Sequence, residues 1–397
     1  MLPSGLGTLT INMDLLEIRH DLHAHPQIRF EETYASELVQ RHLGALGIEF
    51  RAGLALGTGV LGYLPATTNP ESAPTIALRA DMDALPIHEE TGKPYASTIP
   101  GRMHACGHDG HTTILLGVAN ELVKSSHRPN NVLFVFQPAE EGGAGAKYMV
   151  EDGCLNGSLL GNKADMMFGL HGWTSVPIGH VATRVGPLMA STDEFIIELE
   201  GQGGHAAMPE STRDPVVAAA HLVLALQQIA SRNVGPFEQV VVTVGSLHAG
   251  STNNVIPMSA TLHGTIRTMT PELREFAKER VHQISIGIAA ASDLKAIVTL
   301  NEGYPVTVND ERAVQRFLQV ATGVLGADKV SDDGKPTMGG EDFAYYGAEC
   351  RCCFFQLGLI PEGQETYPSV HTPVFDFNDD ALAIGVKVMT ALALSEG

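Results

Sequence analysis

The run Val132-Leu133-Phe134-Val135-Phe136-Gln137-Pro138-Ala139-Glu140-Glu141-Gly142-Gly143 carries an unbroken apolar strand straight into two adjacent carboxylates. Five apolar residues in succession, without alternation, read as a strand covered on both faces, the pattern of a parallel sheet between helical layers. Two further runs have the same form. Ile76-Ala77-Leu78-Arg79-Ala80-Asp81 leads to Asp81 and Asp83, and Met166-Met167-Phe168-Gly169-Leu170-His171 ends in His171. Helical periodicity separates them, over Asp14 to Ala24, Glu31 to Leu46 (stopped by Gly47) and about Thr112 to Lys124. Strands alternating with helices imply an α/β domain with a largely parallel or mixed central sheet. In such sheets the ligand crevice lies at the carboxyl ends of the strands, where these acids and the histidine collect.

From about Gly186 the texture changes. Phe195–Glu200, Gln239–Val244, Ala260–Arg267 and Lys295–Leu300 read as strands, with helices over Asp214–Ser231 and Pro271–Ala291. The order β-α-β-β-α-β is the ferredoxin-like unit. Arg312–Leu325 is then helical and Cys353–Leu357 strand-like. The expected plan is two domains: 1–185 with 303–397 as one discontinuous domain, and 186–302 inserted into it. A length of 397 residues also favours two cores over one.

Formal charge is −20, from 45 acidic against 25 basic residues. Nucleic acid and anionic membrane surfaces need clustered Lys and Arg, so neither is an expected partner. No apolar run approaches the ~18 residues of a spanning helix, and the N-terminal segment has no basic and apolar leader pattern. Five cysteines, an odd number, fit a reducing compartment, and a cytoplasmic location is expected. Cys350, Cys352 and Cys353 have the wrong spacing for a metal knuckle and precede Phe354-Phe355, so they read as thiols in or near a strand.

The densest chemistry is Met103-His104-Ala105-Cys106-Gly107-His108-Asp109-Gly110-His111. A thiolate and imidazoles there, with paired carboxylates in the other cluster, suit a borderline-soft divalent metal and a general base for water. Cys106 and His108 can share a metal if the backbone between them is non-helical. If Glu140 and Glu141 sit on extended backbone, one side chain faces a metal and the other a water. His171 and His371, each taken alone, read equally well as a core histidine and a loop histidine.

Together the motifs resemble the M20 metallopeptidase family, in its branch of hippurate hydrolases, aminoacylases and auxin-conjugate hydrolases. The matching strings are Arg79-Ala80-Asp81-Met82-Asp83-Ala84-Leu85-Pro86, Met103 to Thr112, Gln137 to Gly143, Gly203-Gly204-His205-Ala206-Ala207-Met208-Pro209, Asn254-Val255-Ile256-Pro257, Gly264-Thr265-Ile266-Arg267 and Gly340-Glu341-Asp342-Phe343. They run through nearly the whole chain in the family's order. The resemblance implies a catalytic domain with an inserted ferredoxin-like lid that also dimerises, and two divalent metal ions per subunit. Zn²⁺ is the first expectation, with Mn²⁺, Co²⁺ or Ni²⁺ as alternatives.

By the same resemblance the metal ligands are Cys106 (bridging), His108, Glu141, His171 and His371. Glu140 is the general base, and Asp83 orients a ligand. His205 is a lid histidine that reaches a neighbouring subunit's site, while Asn254 and Arg267 hold the substrate's carboxylate and Gly340 also serves the substrate. Other branches of the family carry His and Asp where this chain has Asp81 and Cys106. That departure turns the expectation from dipeptides to N-acyl amino acids, cleaved to a carboxylic acid and a free amino acid. Two alternatives remain: an N-acetyl-diamino acid deacetylase or small peptidase of the same family, and a catalytically silent binding protein. The second would leave a costly set of buried polar groups unused.

Overall fold

A computed structural model describes residues 13–396. Its elements, in chain order, are α1 (Leu15–Ala24), α2 (Thr33–Ala45), β1 (Glu49–Leu54), β2 (Gly59–Leu64), β3 (Thr75–Asp81), α3 (His108–Lys124), β4 (Asn131–Gln137), the single distorted turn α4 (Glu140–Gly143) and α5 (Gly145–Glu151). There follow β5 (Met166–Pro177), β6 (Val181–Ala182), β7 (Gly186–Met189), β8 (Ser191–Glu200), β9 (Gly204–His205), α6 (Pro215–Leu226), β10 (Val240–Ala249), β11 (Val255–Ile256) and β12 (Ser259–Thr268). The chain closes with α7 (Pro271–Ala291), β13 (Lys295–Glu302), β14 (Thr307–Asn309), α8 (Glu311–Leu325), β15 (Val330–Ser331), β16 (Arg351–Ile360) and α9 (Asp380–Leu394).

Two compact units form. The first is Met1–Gly186 with Asn309–Gly334 and Tyr345–Gly397; the second is Pro187–Val308 with Lys335–Ala344. The second unit therefore takes in 335–344, which the sequence reading had placed with the first domain. Hydrogen bonds explain it. Ala190 donates to the carbonyls of Thr337 and Gly339, Thr337 donates to Leu188, and Thr307 Oγ1 to Glu341. Such pairing between distant segments leaves no mark in local periodicity. Gly340 thus belongs to the second unit.

The first unit is built on an eight-stranded mixed sheet in the order β1-β2-β4-β3-β5-β16-β6-β15. Its centre, β4-β3-β5-β16, is parallel. Every residue of β3 and β4 is buried, which is why those strands read as unbroken apolar runs. Helices α3, α8 and α9 share a core with the sheet around Phe134, Phe136, Phe168, Phe317 and Phe355. The antiparallel pair β1–β2 and helix α9 have no counterpart in the sequence reading. β1 is mostly exposed and shows no buried face for a pattern to report.

Helix α1 starts at Asp14, whose carboxylate accepts from the N–H groups of Leu16 and Glu17. It delivers Arg19 and His23 into a charge network whose centre, Arg19, His23 and Asp109, is fully buried while Asp376 and Asp379 are partly exposed. Arg19 Nε meets Asp109 Oδ2 at 3.0 Å, its other nitrogens pair with Asp376 and Asp379, and His23 Nδ1 lies 2.8 Å from Asp109. Removing one partner of such a network strands the other charges. Arg19→Leu should therefore cost about 3–5 kcal/mol of unfolding free energy, read from the denaturant midpoint. A loss below about 1 kcal/mol would refute this.

The network also carries a pH signature. Burial disfavours the His23 imidazolium, but Asp109 and Glu89 outweigh it and push the group up to about 9. A folded-state value above the unfolded one means stability fully present below about pH 6.5 and lost as pH rises through 9. His23→Phe should remove that alkaline loss from a plot of melting temperature against pH.

The second unit holds a four-stranded antiparallel sheet in the order β10-β12-β8-β13, packed against α6 and α7. β8 alternates buried with exposed or half-buried residues along its length, as a sheet covered on one face should. α7 opens with Thr270 capping Leu273 N–H and Pro271 at its first position. Among the described residues, no helix is long and apolar enough to cross a membrane.

Candidate metal centre

The site collects at the carboxyl ends of β3 and β4 and along β5. Helix α3 begins at His108, four residues earlier than its apolar stripe suggests, directly after Gly107 at φ 92°. That left-handed glycine turns the chain so that Cys106 and His108 face one another across a non-helical link, and a Cβ there would meet Phe377 at 2.9 Å. β5 runs past His171 to Pro177, because the parallel pairing with β16 continues through Gln356 and beyond. His171 therefore projects from within a strand and is held more rigidly than a strand-end residue.

Cys106 is shared by two groups of potential ligands. Cys106, His108 and His171 form one, and Cys106, Glu141 and His371 the other, with the ligand atoms of each within 4.8 Å of one another. Cys106 Sγ lies 3.3 Å from His171 Nε2 and 3.3 Å from His371 Nε2, and His371 Nε2 lies 3.1 Å from Glu141 Oε1. His371 holds a left-handed backbone, φ 63°, pinned by its N–H to the Ala105 carbonyl at 2.7 Å. Strain of that kind at a non-glycine residue survives only where surrounding structure imposes it.

The imidazoles are oriented by their far nitrogens. His108 Nδ1 bonds the Asp83 carbonyl at 2.9 Å and His171 Nδ1 the Gly172 carbonyl at 2.8 Å, which leaves each Nε2 lone pair pointing to the shared space. His108 Nε2 is buried without a hydrogen-bond partner. A buried imidazole nitrogen with no hydrogen bond and only the Asp81 carboxylate 3.5 Å away, beside a thiol, fits a bound cation. His111 is different: its Nδ1 bonds Asp81 at 2.7 Å and its Nε2 accepts the Gly172 N–H at 2.9 Å. Both nitrogens are used, so His111 braces the site and is no ligand.

Electrostatics favour a cation. Burial and the Glu141 and Glu140 carboxylates push the Cys106 thiol well above its ordinary value. Burial opposes protonation of His108, but Asp81 and Asp83 prevail and raise it to about 10. Burial and neighbouring His111 hold His171 well below its usual range. Glu141 is lowered: burial works upward, and His371 and His108 overcome it. A cation would replace protons on Cys106 and His108, which is how metal sites couple to pH.

The Glu140–Glu141 pair is not on extended backbone, contrary to the sequence reading. Ala139 sits at φ 56°, Glu141 at φ −70°, ψ 72°, and Ala144 again at φ 55°. The tight turn requires Gly145, where a Cβ would lie 1.7 Å from the Pro138 carbonyl oxygen. Both carboxylates consequently point the same way, each with an oxygen within 4.8 Å of a His108 nitrogen. Asp83 holds this turn, accepting Glu140 N–H at 3.0 Å and Glu141 N–H at 2.9 Å, with His108 Nδ1 3.3 Å away. Asp81 anchors the neighbouring layer through Arg79 at 2.8 Å and His111.

The other proposed site residues lie in the second unit as two separate pairs. Exposed His205 is paired with Val255 in the β9–β11 ribbon, and Asn254 accepts the Ala206 N–H on its carbonyl at 3.1 Å. Half-buried Arg267 is near the far end of β12, where a Cβ on Gly340 would approach its guanidinium to 3.5 Å. Asn254 precedes β12 and Arg267 nearly ends it, so the pairs stand roughly 25 Å apart along a strand rising about 3.3 Å per residue. Asn254 and Arg267 of one chain, which the resemblance assigns together to the substrate's carboxylate, are therefore not neighbours. Cys350, Cys352 and Cys353 are free thiols, the latter two buried in β16.

The donor sets, taken with the following family match and relatives, identify a metal-dependent amidohydrolase. The family model for peptidase family M20/M25/M40 matches residues 77–395, and the chain belongs to that family. It is 40% identical over 381 residues to N-acetyl-L-cysteine deacetylase of Bacillus subtilis, covering 96% of this chain and 87% of that one. It is 39% identical over 385 residues to IAA-amino acid hydrolase ILR1-like 2 of Arabidopsis thaliana, covering 96% and 84%. Among solved structures, the YXEP protein of Bacillus subtilis, a dinuclear metal-binding peptidase of the M20 family, aligns with TM-score 0.82 and 32% identity over 96% of both chains.

Proposed function

We propose that this protein hydrolyses the amide bond of N-acyl amino acids, giving a carboxylic acid and a free amino acid. The observation that carries the reading is the pair of donor sets sharing Cys106, with Glu140 beside them. Relatives that act on acetylated cysteine and on an indole-acetyl amino acid conjugate, by their names, support the substrate class. Cys106, His108 and His171 would hold one divalent ion, and Cys106, Glu141 and His371 a second. Thiolate, imidazole and carboxylate donors favour Zn²⁺, with Mn²⁺, Co²⁺ and Ni²⁺ as alternatives. Bound there, the ions would acidify water and polarise the amide carbonyl.

The chain's own residues supply the rest. Glu140 accepts a proton on its carboxylate from the attacking water and passes it to the departing nitrogen. Asp83 keeps both glutamates aimed by holding their backbone N–H groups. Arg267, beside Gly340, grips the α-carboxylate with two parallel N–H donors. His205, with Asn254, donates to the oxygen that gains negative charge. Whatever its acyl group, an N-acyl amino acid keeps its α-carboxylate only a few bonds from the scissile amide, far less than the roughly 25 Å between the two pairs. One copy of the ferredoxin-like unit therefore cannot apply both to one substrate, which supports a homodimer in which His205 and Asn254 serve the partner's site.

The direct test is amine release from a panel of acetyl, benzoyl, indole-acetyl and long-chain amino acids by metal-reconstituted protein. No release from any of them would overturn the reading. Arg267→Ala should lower the preference for a free α-carboxylate over the corresponding amide by about 10–100-fold, mostly through KM. Equal losses on acid and amide would mean that Arg267 supports the fold instead.

Trans action has its own measurement. His205→Ala and Glu140→Gln homodimers should each be nearly inactive with metal retained. Refolded together they should regain about a quarter of wild-type activity, because about half of the dimers are mixed and each has one intact site. Confirmed mixed dimers without recovery would place His205 in cis or outside the reaction.

A further inference from the structure

Behind the Glu140–Glu141 turn lies a second buried acid that no step above uses. Glu32 occupies the N-cap position of α2, yet its side chain does not cap that helix. It is wholly buried and turned the other way. Its Oε1 accepts the N–H of Ala139 at 2.9 Å and the N–H of Phe30 at 2.9 Å, and its Oε2 accepts from Thr58 Oγ1 at 2.8 Å. Ala139 and Phe30 are both left-handed, φ 56° and φ 63°. Non-glycine residues hold that conformation only when surroundings over-determine it. One carboxylate oxygen thus pins two unfavourable backbone positions, one of them the residue immediately before Glu140. Asp83 then takes the next two N–H groups, of Glu140 and Glu141. Three consecutive backbone donors are held by two buried acids from different parts of the chain.

We propose that Glu32 is a positioning residue for catalysis, fixing through Ala139 the turn that aims Glu140 and Glu141 at the substrate and metals. This rests on the reading of Glu140 and Glu141 given above. The feature that matters is an acceptor at Oε1, not a negative charge. Burial and nearby Asp83 push the Glu32 carboxyl up to about 7, so a neutral acceptor is close to its natural state.

Three variants separate this role from general stabilisation. Glu32→Gln keeps an oxygen in reach of Ala139 and Phe30, while its amide can donate to the Thr58 hydroxyl. Glu32→Asp keeps the acid but withdraws the oxygen by one methylene. Thr58→Val removes only the bond to Oε2 and leaves Ala139 held. With zinc-loaded protein and N-acetyl amino acid substrate, Glu32→Asp should lower kcat by about 10²-fold, the scale of a 1 Å misplacement, with KM within about threefold. Glu32→Gln should stay within about fivefold of wild type, and Thr58→Val within about twofold even if its melting temperature falls.

Wild-type kcat in Glu32→Asp would overturn the proposal. So would Glu32→Gln losing as much as Glu32→Asp, or Thr58→Val reproducing the kcat loss, since charge or stability would then be responsible. Should Glu32→Asp fail to fold, a kcat loss above about tenfold in Glu32→Gln, or above about tenfold in Thr58→Val, would still overturn the proposal. An active Glu140→Gln enzyme would instead strike the underlying reading, an outcome distinct from any of these.

Discussion

Glu140→Gln should reduce turnover by about 10²–10⁴-fold, and further if the same carboxylate also delivers the proton to the leaving amine. The substitution is close to isosteric, so the turn built on Ala139, Asp83 and Gly145 should persist. Each of the two donor sets sharing Cys106 is complete without Glu140. Metal content, measured by inductively coupled plasma mass spectrometry, should accordingly match wild type while amine release collapses. Retention of more than about a tenth of wild-type kcat would remove Glu140 as the base. Loss of metal along with activity would make it a ligand, a role open to it because its oxygen also lies within 4.8 Å of His108 and Glu141 donors.

Cys106→Ala should abolish both metal and activity. Each donor set drops from three residues to two, and the shared atom disappears from both at once. Burial and the Glu141 and Glu140 carboxylates hold this thiol protonated, so it becomes a thiolate only when a cation compensates the surrounding acids. A purely structural buried cysteine behaves as a small apolar side chain, and its truncation to Ala would leave metal stoichiometry untouched. Full occupancy at both positions in Cys106→Ala would therefore identify Cys106 as a packing residue. Cys106→Asp is the informative companion: an oxygen bridge should restore part of the metal content and shift preference from Zn²⁺ toward the harder Mn²⁺.

Apolar runs ending in acids, the crowded segment 103–111 and the change of texture near residue 186 are local patterns. Burial on both faces of β3 and β4, and on one face of β8, imposes them residue by residue. They were sufficient for the α/β class with its large mixed sheet and for the presence of metal-type side chains. What only the tertiary structure decided depends on partners far away in the chain. His111 is as good a ligand as His108 on sequence alone; it is excluded because Asp81 and the Gly172 N–H occupy both of its nitrogens. Glu32 looks like one more acid before a helix, and its meaning lies 107 residues away at Ala139. Segment 335–344 joins the second unit through hydrogen bonds to residues near 190, and Asn254 and Arg267 part because a ten-residue strand runs between them. Periodicity reports which face of an element is buried, whereas the partner it is buried against is fixed only when the chain closes on itself.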